Sequence, residues 1–325
     1  MERLDLFYLA KPRVGGWISF MYHFRACLAS EYRVRVFCIS KRTETKKRDM
    51  GHGVLYQNVC LEDAIRIAGD GPSCIAALGP KMDDEARALI KCGASIVIHD
   101  PTELKGDRGA LIGQASEIIT LRRSNERTVR GMVQARVKFV PMPYAAPKGG
   151  PLAPVGERKL HALAWSRLDY DKHTEIIVEA NSQLPLQKRC VIYGAENRLY
   201  THHKLNETHP DWRGYYKGKF PFVPDAGRTL ATQCSYGVDM SVIKGDGGGA
   251  QYTFLEAWSA GCVLVIARAW EIAGDEMRHG ENCLMVDNAT ELAGVLNSDP
   301  GSFDLDVSAG LSLHGPGSVV EHFTS

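Results

Sequence analysis

Short apolar runs recur along the first half of the chain at residues 4–10 (LDLFYLA), 33–39 (RVRVFCI), 73–78 (SCIAAL), 95–100 (SIVIHD), 116–121 (SEIITL) and 137–142 (VKFVPM). Runs of this length, rich in β-branched residues, predict strands, and near-continuous apolar runs fit strands covered on both faces. Between them, residues 17–32, 61–68, 83–91 and 125–133 read as helices. Alternating strand and helix is the pattern of a parallel sheet with helices on both sides, so the first half is expected to be Rossmann-like.

The pattern breaks at residues 145–159 (AAPKGGPLAPVGERK), which are rich in Pro and Gly and lack helical spacing. Such a stretch reads as an interdomain linker. The alternation then resumes with 160–166 (LHALAWS), a helix from about Lys172, 189–194 (RCVIYG), 239–243 (DMSVI), a helix over about 252–260, and 263–267 (VLVIA). The expected fold class is therefore α/β, with two doubly wound domains over residues 1–148 and 149–325. A length of 325 residues is ample for two such cores.

Composition changes this picture little, because 44% hydrophobic and 24% charged residues are ordinary for a globular protein. The start of the chain has no basic leader with an apolar run, and no later run reaches membrane-spanning length, so a cytoplasmic protein without a membrane partner is expected. Nine cysteines are scattered without Cys-x-x-Cys spacing, which predicts reduced thiols and no zinc site. Charge is more informative. Residues 1–150 hold 24 Lys+Arg against 16 Asp+Glu, a net +8, and the remainder is net −7. An anionic partner for the first half is one reading of that split; mutual complementarity of the halves is the other.

Ligands of open α/β sheets bind beyond the carboxyl ends of strands, where glycine-rich turns let backbone N–H groups approach phosphate. Gly15 and Gly16 follow the first strand and precede its helix. A stronger candidate is Gly245-Asp246-Gly247-Gly248-Gly249-Ala250-Gln251, which follows a strand and opens the helix that begins at Tyr252 and carries Glu256. Unpaired N–H groups at the positive end of such a helix suit a diphosphate.

The order of a glycine loop, a Glu-Ala helix, a small-Gly turn, a hydrophobic strand and HGENCLMVD resembles the donor-binding half of retaining GT-B glycosyltransferases. Ser166-Arg167-Leu168-Asp169-Tyr170-Asp171-Lys172 is similar to that family's Gly-Arg-x-x-x-x-Lys segment, with Ser166 in place of the glycine. The resemblance covers roughly residues 160–297. It implies a GT-B fold of two Rossmann-like domains facing a cleft, a nucleotide-sugar donor with UDP the expected nucleotide, and no metal or other cofactor. Gly15, Gly16, Asp246, Gly248, Gly249, Ala250, Gln251, Tyr252 and Glu256 would line the donor site. Glu256 would accept from the ribose hydroxyls, and Arg167 and Lys172 would stabilise the departing diphosphate. The family's second glutamate, eight residues before the first, is replaced here by Gly248, so Asp246 or Gln251 would have to serve the transferred sugar. Asp169-Tyr170-Asp171 and Asp304-Leu305-Asp306 match the metal-binding Asp-x-Asp of another fold only as three-residue coincidences.

In the first half, His99 and Asp100 leave a strand at its carboxyl end. They read either as an acceptor-positioning pair or as an Asp-Pro turn with a structural histidine. A similar His-Asp follows a strand in the DNA α-glucosyltransferases of T-even-type bacteriophages, a GT-B family. Basic residues cluster at Lys46, Lys47 and Arg48 and at Arg122, Arg123 and Arg127. Together with the resemblance they imply double-stranded DNA carrying a hydroxymethylated pyrimidine as acceptor, with the host cytoplasm as location for a phage-encoded chain. A glycan or small-molecule acceptor is the alternative. A binding protein that has lost catalysis, motivated by Gly248, is the alternative of another class.

Overall fold

A computed structural model describes residues 1–10, 17–79, 81–147, 152–221, 223, 225–242 and 251–325. These divide into two compact units, Met1–Ala145 with Ser312–Ser325, and Ala146–Lys244 with Gln251–Leu311.

The first unit is built on eight strands: β1 (Glu2–Leu9), β2 (Tyr32–Ile39), β3 (Lys47–Asp49), β4 (Leu55–Val59), β5 (Ser73–Leu78), β6 (Ser95–Ile98), β7 (Glu117–Thr120) and β8 (Arg136–Phe139). Their order is β3-β4-β2-β1-β5-β6-β7-β8, parallel except for the β3–β4 edge pair. All six residues of β5 are buried, as expected of a central parallel strand. Of the charged residues in β1, Asp5 is the buried one, held by Arg35 through two hydrogen bonds of 2.7 and 2.9 Å, with Arg3 at 3.1 Å. Strand succession reverses between β1 and β5, so this sheet has its switch point there.

The second unit has five parallel strands: β9 (Leu160–Trp165), β10 (Cys190–Tyr193), β11 (Cys234–Asp239), β12 (Val263–Ala267) and β13 (Leu284–Val286), in the order β10-β9-β11-β12-β13. Its switch point lies between β9 and β11. Gly237 in β11 permits a close approach there. A Cβ at that position would stand 3.0 Å from both Ala257 Cβ and the Trp165 ring, so the missing side chain lets helix Tyr252–Ser259 settle on the sheet beside Trp165.

The fold departs from the sequence expectation in several places, and β3, β4 and β13 fall outside the runs read as strands. The strand assigned to residues 239–243 instead spans Cys234–Asp239, because Asp239 turns to accept the Ser241 N–H at 2.9 Å and ends the run. The chain also returns to the first unit at Ser312, which a single division at 148/149 does not anticipate. His314 Nδ1 lies 2.7 Å from the Met142 carbonyl, the Tyr144 N–H donates to the His314 carbonyl, and Phe323 of helix Pro316–Thr324 meets Phe24 edge-on at 5.5 Å. Among the described residues no helix is long and apolar enough to cross a membrane.

Candidate functional site

Both ends of the second unit's switch point carry polar groups. After β9 the chain is pinned by backbone bonds from Leu168 N–H to the Ala195 carbonyl, Asn197 N–H to Leu168, and Val242 N–H to Asp171. This staple holds Lys172 just before helix Thr174–Ser182. Lys172 is buried, and its ammonium donates to Gln251 Oε1 at 3.1 Å. Two residues that the sequence assigns to the same ligand, 79 positions apart, thus meet. Arg167 is more exposed and reaches Asp169 at 3.2 Å and Asp171 at 3.1 Å, so both carboxylates of the Asp-Tyr-Asp triplet face a guanidinium.

Glu256 lies on helix Tyr252–Ser259, whose first residue is Tyr252. Its Oε2 accepts the Trp165 indole N–H at 2.7 Å, and its carboxylate lies against Gly227 in helix Ala226–Ala231. A Cβ on Gly227 would fall 2.1 Å from Oε2, so only glycine leaves room for the carboxylate. Burial pushes the Glu256 carboxyl up to about 7; the Trp165 donor opposes this and nearby Asp225 adds to it. Ionisation of this group is therefore favoured by any further donor, and vicinal hydroxyls are such donors. Helix and strand are joined by Asp239, which accepts from the Thr253 hydroxyl as well as from Ser241 N–H. Ser241 is itself buried, and its hydroxyl has no partner among the described residues.

Trp165, Gly227 and Ser241 were not singled out from the sequence. Trp165 and Gly227 matter through what they approach in space, and Ser241 carries only a weak signal, a hydroxyl two residues beyond a strand-terminal aspartate. Gly15, Gly16, Asp246, Gly248, Gly249 and Ala250 lie outside the described residues.

In the first unit, His99 is stacked on Trp17 at 4.9 Å with 7° between planes, and Phe20 meets it edge-on at 4.8 Å. Its Nε2 lies 3.2 Å from the Ala76 carbonyl. That contact assigns the proton to Nε2 and leaves Nδ1 as an acceptor. Burial lowers its pKa to about 4, so the ring is neutral at physiological pH. Asp100 caps the 3-10 turn Pro101–Leu104, accepting the Thr102 N–H at 2.8 Å, while Glu103 Oε1 accepts from the N–H groups of His99 and Asp100. The pair thus forms the Asp-Pro turn with a histidine held in place by its neighbours.

The basic residues separate. Lys46, Lys47, Arg48, Arg123 and Arg127 are exposed, with Lys47 and Arg48 in edge strand β3. Arg48 is paired with Glu44 at 2.7 Å, and Arg123 lies over the Phe139 ring at 4.5 Å. Arg122, which the sequence places in the basic cluster, is instead buried at 2% exposure and is not part of the exposed basic surface.

Two Rossmann-like units with these sheet orders define the GT-B fold, the architecture of a large class of glycosyltransferases. Solved structures with this fold align along the whole chain. Alr3699/HepE of Anabaena, in complex with UDP, aligns with a TM-score of 0.71 at 15% identity, covering 100% of this chain and 98% of its own. An α-glucosyltransferase in complex with UDP and a 13-mer DNA containing a HMU base aligns at TM-score 0.68 and 14% identity, over 98% and 95%. The lipopolysaccharide outer core galactosyltransferase WaaB, in its apo form, aligns at 0.65 and 10%, over 99% and 98%. No protein-family model matches the chain, and no curated protein matches it in sequence.

Proposed function

We propose that the chain is a retaining, metal-independent glycosyltransferase that takes a sugar from a UDP-sugar held by its second unit. The observation that carries this reading is Glu256: a desolvated carboxylate, given one donor by Trp165, stands beside the sheet's switch point with acceptor capacity left for a ribose diol. Lys172, anchored on Gln251, supplies the cation for the departing diphosphate. Arg167 adds charge from a more exposed position. A dry, prearranged cation stabilises charge as it develops on the leaving oxygen, a role that needs no bound metal.

The acceptor we propose is the hydroxymethyl group of a modified pyrimidine in double-stranded DNA, with the base drawn out of the stack. Support comes from the net +8 of residues 1–150, the exposed Lys46, Lys47, Arg123 and Arg127, and the likeness to the DNA-bound α-glucosyltransferase. Asp100 and Nδ1 of His99 would orient the accepting hydroxyl. A glycan acceptor is the second reading. It is favoured by the burial of Arg122 and the pairing of Arg48 with Glu44, which shrink the free basic surface, and by the likeness to WaaB.

The experiment is to incubate the full chain with a panel of nucleotide sugars and with hydroxymethylcytosine-containing, hydroxymethyluracil-containing or plain duplex DNA, then to weigh the released nucleosides by mass spectrometry. A hexosyl or pentosyl mass gain on a hydroxymethyl base, unaffected by chelator, is the expected result. Turnover of the nucleotide sugar without DNA modification rejects the DNA acceptor and keeps the glycosyltransferase. No turnover of any nucleotide sugar rejects both.

A further inference from the structure

Beyond β10 the helix Arg198–Tyr200 continues as a π-helical turn over Thr201–Asn206. The Glu207 N–H donates to the His202 carbonyl at 3.3 Å, the bond from residue i+5 back to i that marks the wider turn. At roughly 4.4 residues per π turn, position 207 stands above the midpoint of 202 and 203. At about 3.6 residues per turn it would stand above 203 and 204, and His202 would face elsewhere. The side chains follow the wider register. Glu207 Oε1 is 3.5 Å from His202 Nε2 and 3.3 Å from His203 Nδ1, and the two imidazole rings are 4.7 Å apart. The three ligand atoms all lie within 4.8 Å of one another, on side chains open to solvent.

We propose that His202, His203 and Glu207 form a site for a divalent transition-metal ion of the zinc class, separate from the donor site. A four-coordinate ion with bonds near 2.0–2.2 Å sets neighbouring ligand atoms roughly 3.3–3.5 Å apart, which is the spacing of Glu207 Oε1 from each histidine. The two histidine nitrogens reach it by small rotations of exposed side chains. Two imidazoles and one carboxylate suit Zn²⁺, Ni²⁺ or Cu²⁺, whereas Mg²⁺ and Ca²⁺ take oxygen sets. The fourth position is left for water. The ion would fasten the π turn, since relaxation to α-helical register would carry His202 away from Glu207.

The test uses the full chain, freed of metal with a chelator and titrated with Zn²⁺ in competition with a chromophoric chelator. It is run beside the double variant His202→Gln, His203→Gln and the single variant Glu207→Gln. These residues are exposed, and thermal denaturation without metal checks that the variants fold like the parent. The parent is expected to bind one equivalent that the double variant lacks and that Glu207→Gln holds at least about 10–100-fold more weakly, a loss no smaller than that from an outer-shell change. Excess Mg²⁺ should leave it in place. Equal Zn²⁺ stoichiometry and affinity in all three proteins, or displacement by equimolar Mg²⁺, overturns the site.

Discussion

The polar turn after β6 and the polar groups around β9 and β11 both lie at carboxyl ends of parallel strands, yet only the latter flank a switch point, and their chemistry is arranged differently. After β6, Glu103 and Asp100 accept from backbone N–H groups, and His99 is fixed by a carbonyl and two aromatic rings. Around β9 and β11, among the described residues, Glu256 is held by one indole donor, Lys172 by one amide oxygen, and the Ser241 hydroxyl by nothing. The first turn has most of its hydrogen-bonding capacity closed within itself. Among the described residues the second region keeps capacity open, as a binding site must. Being at the carboxyl end of a strand is thus not enough to mark a site; the unfilled capacity of the groups held there is the sharper sign.

The largest effect should come from the buried cation. Lys172→Ala is expected to lower kcat by about 10²-fold or more, and Arg167→Ala by clearly less, because Arg167 is exposed and already faces Asp169 and Asp171. Steady-state kinetics on a nucleotide-sugar substrate compare the two, and equal losses would remove the distinction between them. Next, Asp100→Asn keeps an oxygen to cap Thr102 but removes the charge. Transfer should fall by roughly 10- to 100-fold, as for a misplaced reactant, with nucleotide affinity and thermal stability unchanged. A wild-type transfer rate would reduce the pair to a turn.

Gly227→Ala tests how tightly the Glu256 carboxylate is seated. With a Cβ 2.1 Å from Oε2, the helix or the carboxylate must move, at about 1–3 kcal/mol of stability by thermal or denaturant unfolding. An unchanged midpoint would mean that the seat is loose. The smallest effect per residue is electrostatic. Charge reversal at Lys46, Lys47, Arg123 and Arg127 should flatten the salt dependence of duplex binding, by about 0.9 in log–log slope for each phosphate that is no longer neutralised. Reversal of buried Arg122 should instead destabilise the first unit.

Legibility in the sequence varies with the range of the interaction. β1, β5 and β6 are continuous apolar runs, readable as buried parallel strands. β3, with the sequence Lys-Arg-Asp, has no such signal and forms only because β4 offers it an antiparallel edge. β11 is misplaced by pattern reading because Ser235 and Gly237 thin its apolar run, although Gly237 is what lets the Glu256 helix close on the sheet. Lys172 and Glu256 can be named from spacing, through a resemblance. Trp165 and Gly227 cannot, because their roles exist only once distant segments meet. The His202, His203 and Glu207 cluster is invisible for a different reason: it requires a π turn, and helical pattern reading assumes about 3.6 residues per turn.

That Glu256 receives the ribose of a nucleotide is tested most directly by calorimetric titration of the full chain with UDP at pH 6 and pH 8, beside Glu256→Gln. Burial holds this carboxyl at about 7, above its usual 4.5, so the folded chain loses stability as pH rises from the lower value through the higher one. Hydroxyl donors favour the ionised form and reverse that penalty, so a nucleotide whose ribose meets Glu256 is expected to release a proton near neutrality. Affinity is therefore expected to rise roughly tenfold from pH 6 to pH 8 in the parent, with a binding enthalpy that depends on the buffer at pH 7. Glu256→Gln should bind about 10–100-fold more weakly at pH 8, the worth of a hydrogen bond to a charged group, with the rise between the two pH values removed. Equal affinity of parent and variant at both pH values would contradict a ribose-binding role for this carboxylate.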